Sequence, residues 1–192
     1  MLVRLGQEVQ EVPRRLEAPN PPLADAALVL EPLTQAHVPA LLPLTADPGV
    51  VRFTRVPAGA DPAFVQGWIA RYEAGWEDGS RAGFAIRDGD ALVGFAALVE
   101  LDLDARQGEI GYMVDPAVRG RGIATRTVAL LTRWGFDTLG LERLELRIDP
   151  ENAGSIRVAE RSGYRLDGML RNLHFKDGLR ADVGVWSRLS QD

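Results

Sequence analysis

The stretch from Gly108 to Ala124 constrains the fold more than any other part of the chain. It reads GEIGYMVDPAVRGRGIA, which is a strand-like run, a short Asp-Pro turn, and then a loop rich in glycine and arginine. An amphipathic helical pattern follows at once, because apolar residues recur every three or four positions from Ile123 to Trp134. The chain is therefore predicted to pass from a strand, through a glycine loop, directly into a long helix.

A glycine loop at a helix start is suited to bind a phosphate group. The backbone N–H groups of the first turn point out of the helix, the helix dipole favours negative charge, and glycine permits a close approach. Arg119 and Arg121 add guanidinium groups that match phosphate oxygens. Two common phosphate motifs do not fit: the chain has no GxxxxGK[ST] run, and Thr125 stands at the third glycine position of GxGxxG. A nucleotide-binding oxidoreductase is therefore disfavoured.

Composition limits the remaining classes. A chain of 192 residues that is 46% apolar and 26% charged is long enough for one domain with a sizeable core. It has no apolar run near the length of a membrane span and no secretory signal pattern, so we expect a cytoplasmic protein. It has no cysteine and only two isolated histidines, a pattern that does not indicate a metal site. The net charge of −5 argues against nucleic-acid binding.

The chain divides into a short N-terminal extension and one domain. Residues 1–26 include a proline-rich, linker-like run and are predicted to be a partly ordered extension, with the domain covering 27–192. Within the domain, periodicity and turn signals predict the order β-α-α-β-β-β-α-β-α-β-β. Two prolines make the length of the first helix, over about 35–46, doubtful.

Three features resemble the GCN5-related N-acetyltransferase (GNAT) superfamily. Residues 119–124 fit its pyrophosphate pattern RxxGxA, and the element order is the order of that family. The run NAGSIRVAERSGY from Asn152 to Tyr164 is similar to the NxxSxRxxExxGF segment of the branch that contains the ribosomal-protein N-terminal acetyltransferases, with Tyr164 in place of Phe. The resemblance extends from about residue 27 to the end. It implies an α/β (α+β) GNAT fold: a mixed, mostly antiparallel sheet of six or seven strands, flanked by helices, with splayed central strands.

This resemblance implies acetyl-CoA as the cosubstrate, with no metal. The pantetheine arm would lie between two splayed strands, here about 108–114 and 142–148, and the pyrophosphate would lie on the glycine loop. The implied cofactor-binding residues are Met113, Val114, Arg119, Gly120, Arg121, Gly122, Ile123, Ala124, Thr125, Asn152 and Ser155.

The catalytic groups are less determined. Glu109 is the first choice for the general base, because it lies on the strand beside the expected thioester; it could equally be a surface residue at a strand end. Glu100 is the second choice, and it could instead belong to a solvated hairpin end. Many family members carry a tyrosine acid seven residues after the Asn, but this chain has Ala159 there. Ser155 corresponds to the serine assigned near the sulfur in the ribosomal-protein branch, or it only supports the helix start.

The acceptor is the least determined part. The resemblance implies that Trp68, Tyr72 and His174 border the acceptor site, although the aromatic residues could instead belong to the core. Glu100 forms an alternating acidic set with Asp102 and Asp104, which could line the entry of a cationic substrate. The resemblance also implies transfer of an acetyl group to a primary amine, first a protein N-terminal amine, with polyamines, amino acids and aminoglycosides as alternatives. A different class of function is an acyl-CoA-binding regulatory module without turnover. Because the family often pairs through its C-terminal strands, a homodimer is a further expectation.

Overall fold

The computed structural model describes residues 15–192, so residues 1–14 of the predicted extension lie outside the described residues. In this described part of the chain, eight strands form one sheet in the order β1-β2-β3-β4-β5-β6-β8-β7, in which every neighbouring pair is antiparallel except β5 and β6. The strands are β1 (Leu23–Asp25), β2 (Leu28–Pro32), β3 (Ala82–Asp88), β4 (Ala91–Asp102), β5 (Gln107–Val114), β6 (Arg143–Ile148), β7 (Arg165–Lys176) and β8 (Leu179–Leu189). The predicted mixed, mostly antiparallel sheet is confirmed.

Within residues 15–192, five α-helices accompany the sheet. They are α1 (Val38–Leu41), α2 (Pro48–Phe53), α3 (Pro62–Asp78), α4 (Ile123–Asp137) and α5 (Ala153–Arg161). The helix predicted over about 35–46 is instead divided into α1 and two flanking 3₁₀ turns, in keeping with its prolines. Helix α3 begins as predicted, because the Asp61 side chain accepts a hydrogen bond from the Phe64 N–H at 2.7 Å and Pro62 occupies the first helical position. Helix α2 was not predicted.

Within the described residues the sheet has eight strands, where six or seven were predicted. The additional strand, β1, is only three residues long and pairs with β2 across a turn in which Ala26 has a φ of 49°. Three residues are too few to show the alternation by which a strand is recognised in a sequence. Leu16, which precedes β1 in the same N-terminal segment, is 5% exposed and donates its backbone N–H to the carbonyl of Trp76 at 2.8 Å.

Two apolar clusters cover the two faces of the sheet. One gathers around α4 and includes Phe84, Leu131 and Trp134, and the other gathers around α3 and includes Ile69 and Phe95. Alternation along β5 sends its even-numbered side chains into the first cluster and Met113 into the second. The strand thus presents a different set of side chains to each face of the sheet.

The parallel pair β5 and β6 separates part-way along its length. Its register runs Gln107↔Arg143, Gly108↔Leu144 and Glu109↔Glu145, and no pairing follows. From residue 110 to 114, β5 pairs only with β4, so its other edge faces a gap. The predicted splay of the central strands is confirmed, and it begins at Glu109.

The far edge of the sheet carries several exposed apolar side chains. Strand β7 is the terminal strand, and the β7–β8 hairpin exposes Leu166, Met169, Leu170, Leu173, Phe175 and Leu179. No side chain within residues 15–192 covers them, and the homodimer expected from the sequence stays a prediction.

Candidate active site

A cavity of about 850 Å³ opens where β5 and β6 separate. It extends from the start of α4 to the side of α3, a size typical of sites for organic ligands. Its wall includes all but one of the side chains or loop positions that the sequence predicted for the site: Trp68, Tyr72, Glu100, Glu109, Met113, Val114, Arg119, Gly120, Gly122, Ile123, Ala124, Thr125, Asn152, Ser155 and His174. The exception is Arg121.

The glycine loop presents unpaired backbone N–H groups to this cavity. Gly120 and Gly122 have φ values of 81° and 79°, which glycine adopts without a steric penalty. Gly122 is the N-cap of α4 and supplies no capping side chain, and the first helical hydrogen bond runs from the Arg126 N–H to the Gly122 carbonyl at 3.0 Å. The N–H groups of residues 123–125 therefore have no partner within the helix, an arrangement suited to an anion.

The two arginines of the loop have structural partners of their own. Arg119 donates from Nε to the Val114 carbonyl at 3.1 Å and from Nη2 to Asp47 Oδ1 at 2.6 Å. Asp47 also accepts the Val50 N–H at 2.9 Å, so it caps α2 at the same time. Arg119 thus ties the loop to the end of β5 and to α2. The sequence predicted Arg119 as a hydrogen-bond donor to the phosphate, and in the structure its side chain also has this structural role.

Arg121 lies outside the cavity. Its guanidinium group contacts Asp88 Oδ2 at 3.3 Å, at the end of β3. The loop turns at the glycines on both sides of Arg121, and the side chain leaves the loop towards this carboxylate. In this structure the guanidinium group is paired with Asp88, and its predicted contribution to the phosphate site stays a prediction.

Glu109 is a mostly buried carboxylate at the point of splay. Its side chain is 17% exposed, and Oε2 lies 3.3 Å from Arg147 Nε, which is also 3.4 Å from Glu145. Burial raises the pKa of Glu109 above its ordinary value, and the neighbouring carboxylates of Glu100 and Glu145 add to this rise, while Arg147 and Arg55 oppose it. A carboxylate with a raised pKa, directed into a cavity, is suited to accept a proton.

Glu100 lies on the neighbouring strand at an irregular position. The register between β4 and β5 shifts between Val99 and Asp102, and Glu100 has a φ of 48°, which is uncommon for a residue with a side chain. Glu100 and Glu109 line both the main cavity and a second recess of about 390 Å³. The two carboxylates therefore lie where the main cavity meets a polar recess.

The start of α5 forms the opposite wall. The Asn152 side chain accepts the Ser155 N–H at 3.0 Å, so Asn152 is the helix N-cap that the sequence allowed it to be. The hydroxyl of Tyr112, from β5, is buried and has no aligned hydrogen-bond partner within residues 15–192, although the Ser155 side chain lies close to it. Burial raises the pKa of Tyr112 to about 12, and the neighbouring Ser155 moderates the rise.

Tyr112 is a site residue that the sequence interpretation missed. It lines the cavity on β5, the strand whose free edge borders the gap. The sequence contained a signal for this residue. Tyr112 shares one face of the predicted third core strand with two apolar residues, and its hydroxyl is a polar group on that apolar face.

The other end of the cavity has an aromatic wall. Trp68 and Tyr72 from α3 pack on Phe95 from β4, with ring centroids 4.5 Å and 5.1 Å from that of Phe95. Both predicted aromatic residues thus combine a packing role with a position on the cavity wall. His174 reaches the same cavity from β7.

Lys176 forms hydrogen bonds at one rim of the cavity, and the sequence analysis did not predict this role. Its ammonium group donates to the carbonyls of Val51, Thr54 (3.1 Å) and Val56 (2.6 Å), in the segment that follows the start of α2. It thereby joins the β7–β8 hairpin to a segment that lines the cavity. Lys176 is the sole lysine in a chain that otherwise uses arginine, which is the one signal that could have drawn attention to it.

Two further features concern metals and membranes. Across residues 15–192, no group of three His, Asp or Glu side chains is arranged to hold a metal ion. Among the helices in that same range, none has both the length and the apolar character needed to cross a membrane.

A splayed strand pair that opens onto a glycine-rich helix start is the architecture of the N-acetyltransferases, and comparison with known proteins leads to the same class. The family model described as an acetyltransferase (GNAT) domain matches residues 27–165. The chain therefore belongs to the GNAT acetyltransferase family, as the sequence motifs predicted.

Relatives in this family differ in their acceptors. The spermidine N(1)-acetyltransferase of Escherichia coli K12 is 30% identical over 56% of this chain and 58% of its own length. The ribosomal-protein-serine acetyltransferase of the same strain is 27% identical over 55% and 59%, and the uncharacterized N-acetyltransferase p20 of Bacillus licheniformis is 28% identical over 59% and 64%. The chain thus spans less than two thirds of each of these relatives.

Solved structures show the same fold. The microcin C7 self-immunity acetyltransferase MccE, in complex with acetyl-CoA and AMP, superimposes with a TM-score of 0.80 at 18% identity, over 86% of this chain and 93% of MccE. The apo form of RimL, the ribosomal L7/L12 alpha-N-protein acetyltransferase, gives 0.79 at 20% identity, over 88% and 92%. At these identities the likeness establishes the fold, and the acceptor needs separate evidence.

Proposed function

We propose that this protein transfers an acetyl group from acetyl-CoA to a primary amine, with a protein N-terminal amine as the acceptor. The observation that carries the proposal is the gap between β5 and β6, which joins a glycine-rich helix start to a mostly buried carboxylate within one cavity. Family membership supports the same reaction, and a ribosomal-protein-serine acetyltransferase among the relatives supports the choice of acceptor.

The acetyl-CoA would be held by backbone groups. The unpaired N–H groups of residues 123–125 suit the pyrophosphate, and the free edge of β5 at Met113 and Val114 suits the amide groups of the pantetheine arm. The first set belongs to helix α4 and the second to strand β5, so the protein would lose little conformational entropy when it positions the thioester.

Glu109 is assigned as the general base. A primary amine is protonated at neutral pH and must lose a proton before its nitrogen can attack the thioester carbonyl. Glu109, directly or through water in the adjoining recess, would accept that proton. The new C–N bond forms as the C–S bond breaks, and the net reaction converts the ammonium group and acetyl-CoA into an N-acetyl amide, CoA and one proton.

Ser155 and Tyr112 are assigned as hydrogen-bond donors to the CoA thiolate as it leaves. The thiolate needs a hydrogen-bond donor as negative charge collects on sulfur. Ser155 lines the cavity, and the buried Tyr112 hydroxyl beside it has a donor that is not committed to an aligned partner among the described residues. This pair would replace the tyrosine that many relatives carry at the position of Ala159.

The first test is acetyl-CoA binding, measured by titration calorimetry. Gly122→Asp places a carboxylate at the helix start and should abolish micromolar binding, because it repels the pyrophosphate and strains a backbone with a φ of 79°. Gly140→Asp is the matched control, since Gly140 has a φ of 67°, open space around it, and a position beyond the other end of α4. Equal binding by the two variants contradicts the proposed site.

The second test is turnover, measured as CoA release with a panel of amines. Release that depends on an amine supports the transferase. Binding of acetyl-CoA without release for any amine instead supports an acyl-CoA-binding module.

A further inference from the structure

Three arginines from separate segments of the chain line the cavity on the side of α3. Arg71 immediately precedes Tyr72 on α3, Arg81 immediately precedes β3, and Arg55 lies between α2 and α3. All three line the cavity. Burial raises the pKa of the Tyr72 hydroxyl, and the positive charges of Arg81, Arg71 and Arg55 each oppose that rise. The three arginines therefore line the same cavity as Tyr72, and the guanidinium group of Arg81 lies beside the Tyr72 ring.

Two glycines make room for this arrangement. A Cβ atom added to Gly75 would lie 2.0 Å from Arg81 Cγ, and one added to Gly83 would lie 2.8 Å from Tyr72 Cβ. With no side chain at either position, Arg81 crosses α3 and its guanidinium carbon lies 5.9 Å from the centre of the Tyr72 ring. The position of Arg81 is thus determined by close packing on α3.

Among the described residues, these arginines lack a carboxylate partner at ion-pair distance, as do Arg157 and Arg161 of the same cavity. Within residues 15–192, no Asp or Glu oxygen lies within 4.0 Å of the side-chain nitrogens of Arg55, Arg71 or Arg81. By contrast, Arg119 and Arg147 contact Asp47 and Glu109. Within the described residues none of the three is closed into an ion pair, although Arg55 and Arg81 lie near the carboxylates of Glu109 and Asp78. Three like charges repel one another, and an anion bound among them relieves that repulsion.

We infer that the acceptor carries an anionic group, a carboxylate or a phosphate, close to the amine that is acetylated. Arg55, Arg71 and Arg81 bind the anionic group, since guanidinium groups match such oxygens, while the amine is directed towards Glu109. This inference rests on the proposed acetyltransferase function and narrows its substrate class. A polyamine, which is cationic along its whole length, does not match this end of the cavity. An amino acid or an acidic peptide N-terminus does.

Matched pairs of acceptors test the inference through CoA release. A peptide beginning Ser-Asp-Glu is compared with one beginning Ser-Asn-Gln, free aspartate is compared with asparagine amide, and spermidine is included. Hydrogen bonds to charged groups contribute about 1.5–3 kcal/mol, so we expect the anionic member of the active pair to have a kcat/KM about 10- to 100-fold higher. Turnover of the peptide pair indicates a peptide acceptor, and turnover of aspartate indicates an amino acid acceptor.

Variants of these arginines test whether the cluster causes the preference for anionic acceptors. Arg71→Gln and Arg55→Gln alter exposed side chains, so both variants should fold. Each should raise the KM of the anionic acceptor several-fold and leave the KM of the neutral one unchanged. Arg133→Gln, an exposed position on α4 outside the cavity, is the control and should change neither.

The outcomes separate this inference from the proposed function. Turnover of spermidine or of the neutral acceptors at rates equal to the anionic ones overturns the inference and leaves the acetyltransferase standing. Binding of acetyl-CoA without turnover of any acceptor overturns both in favour of a binding module. A preference for anionic acceptors that survives the Arg71→Gln and Arg55→Gln changes overturns the assignment to these residues.

Discussion

Replacing Glu109 by glutamine should separate catalysis from folding. The amide has nearly the same shape, but it cannot accept a proton at neutral pH. General base catalysis contributes about 10²- to 10⁴-fold to a rate. Because Glu109 adjoins a polar recess that also holds Glu100, a second carboxylate can take over part of the task through water. We therefore expect kcat to fall about 100- to 1,000-fold, with acetyl-CoA affinity unchanged, measured by CoA release and by calorimetry.

The same substitution should not destabilise the fold. Burial raises the pKa of Glu109 above its ordinary value of 4.5, so the folded protein holds this proton more tightly than the unfolded chain does. The stabilising effect of that proton is present at low pH and is lost as the pH rises through the folded-state pKa. Above this range the buried charge is unfavourable, whereas the contact with the partly exposed Arg147 contributes at most about 1 kcal/mol. Urea unfolding at pH 7.5 should therefore find Glu109→Gln within about 1 kcal/mol of the wild type.

The pH profile and a control complete the test. For the wild type, kcat/KM should rise with pH as Glu109 loses its proton, and this limb should disappear in Glu109→Gln. Glu142→Gln is the control, since Glu142 also pairs with an arginine, Arg106 at 2.7 Å, but does not line the cavity. An unchanged kcat in Glu109→Gln, or a loss matched by the control, would refute the assignment of the base.

Two further predictions concern contacts that lie away from Glu109. Tyr164→Phe removes a buried hydrogen bond to the Thr132 hydroxyl at 2.8 Å, so it should cost about 1–2 kcal/mol in urea unfolding, and adding Thr132→Val should recover part of this; no loss would mean that water replaces the bond. Lys176→Met leaves the three rim carbonyls without their donor, so steady-state kinetics should show the acceptor KM raised several-fold while calorimetry shows acetyl-CoA affinity unchanged; the reverse pattern would contradict the position given to this rim.

Local patterns in the sequence determined the framework of this protein. The passage from strand to glycine loop to helix was predictable because positive φ at Gly122 and an uncapped helix start are properties of adjacent residues. The Asn152 cap and the long helices α3 and α4 follow from equally local rules. Family resemblance then supplied the splay of the central strands, which no local pattern contains.

The tertiary structure alone decided what each side chain of the site contacts. Arg119 and Arg121 are two residues apart in the same loop, yet one meets Asp47 and lines the cavity while the other meets Asp88 outside it. The hydrogen bonds of Lys176 join segments that are far apart in the chain, and the cavity is lined by arginines from three separate segments. Spacing along a chain predicts neighbours within one helix or strand, but contacts between elements depend on how whole faces pack. The framework could therefore be predicted from the sequence, whereas the grouping of charged side chains around the cavity exists only in the folded protein.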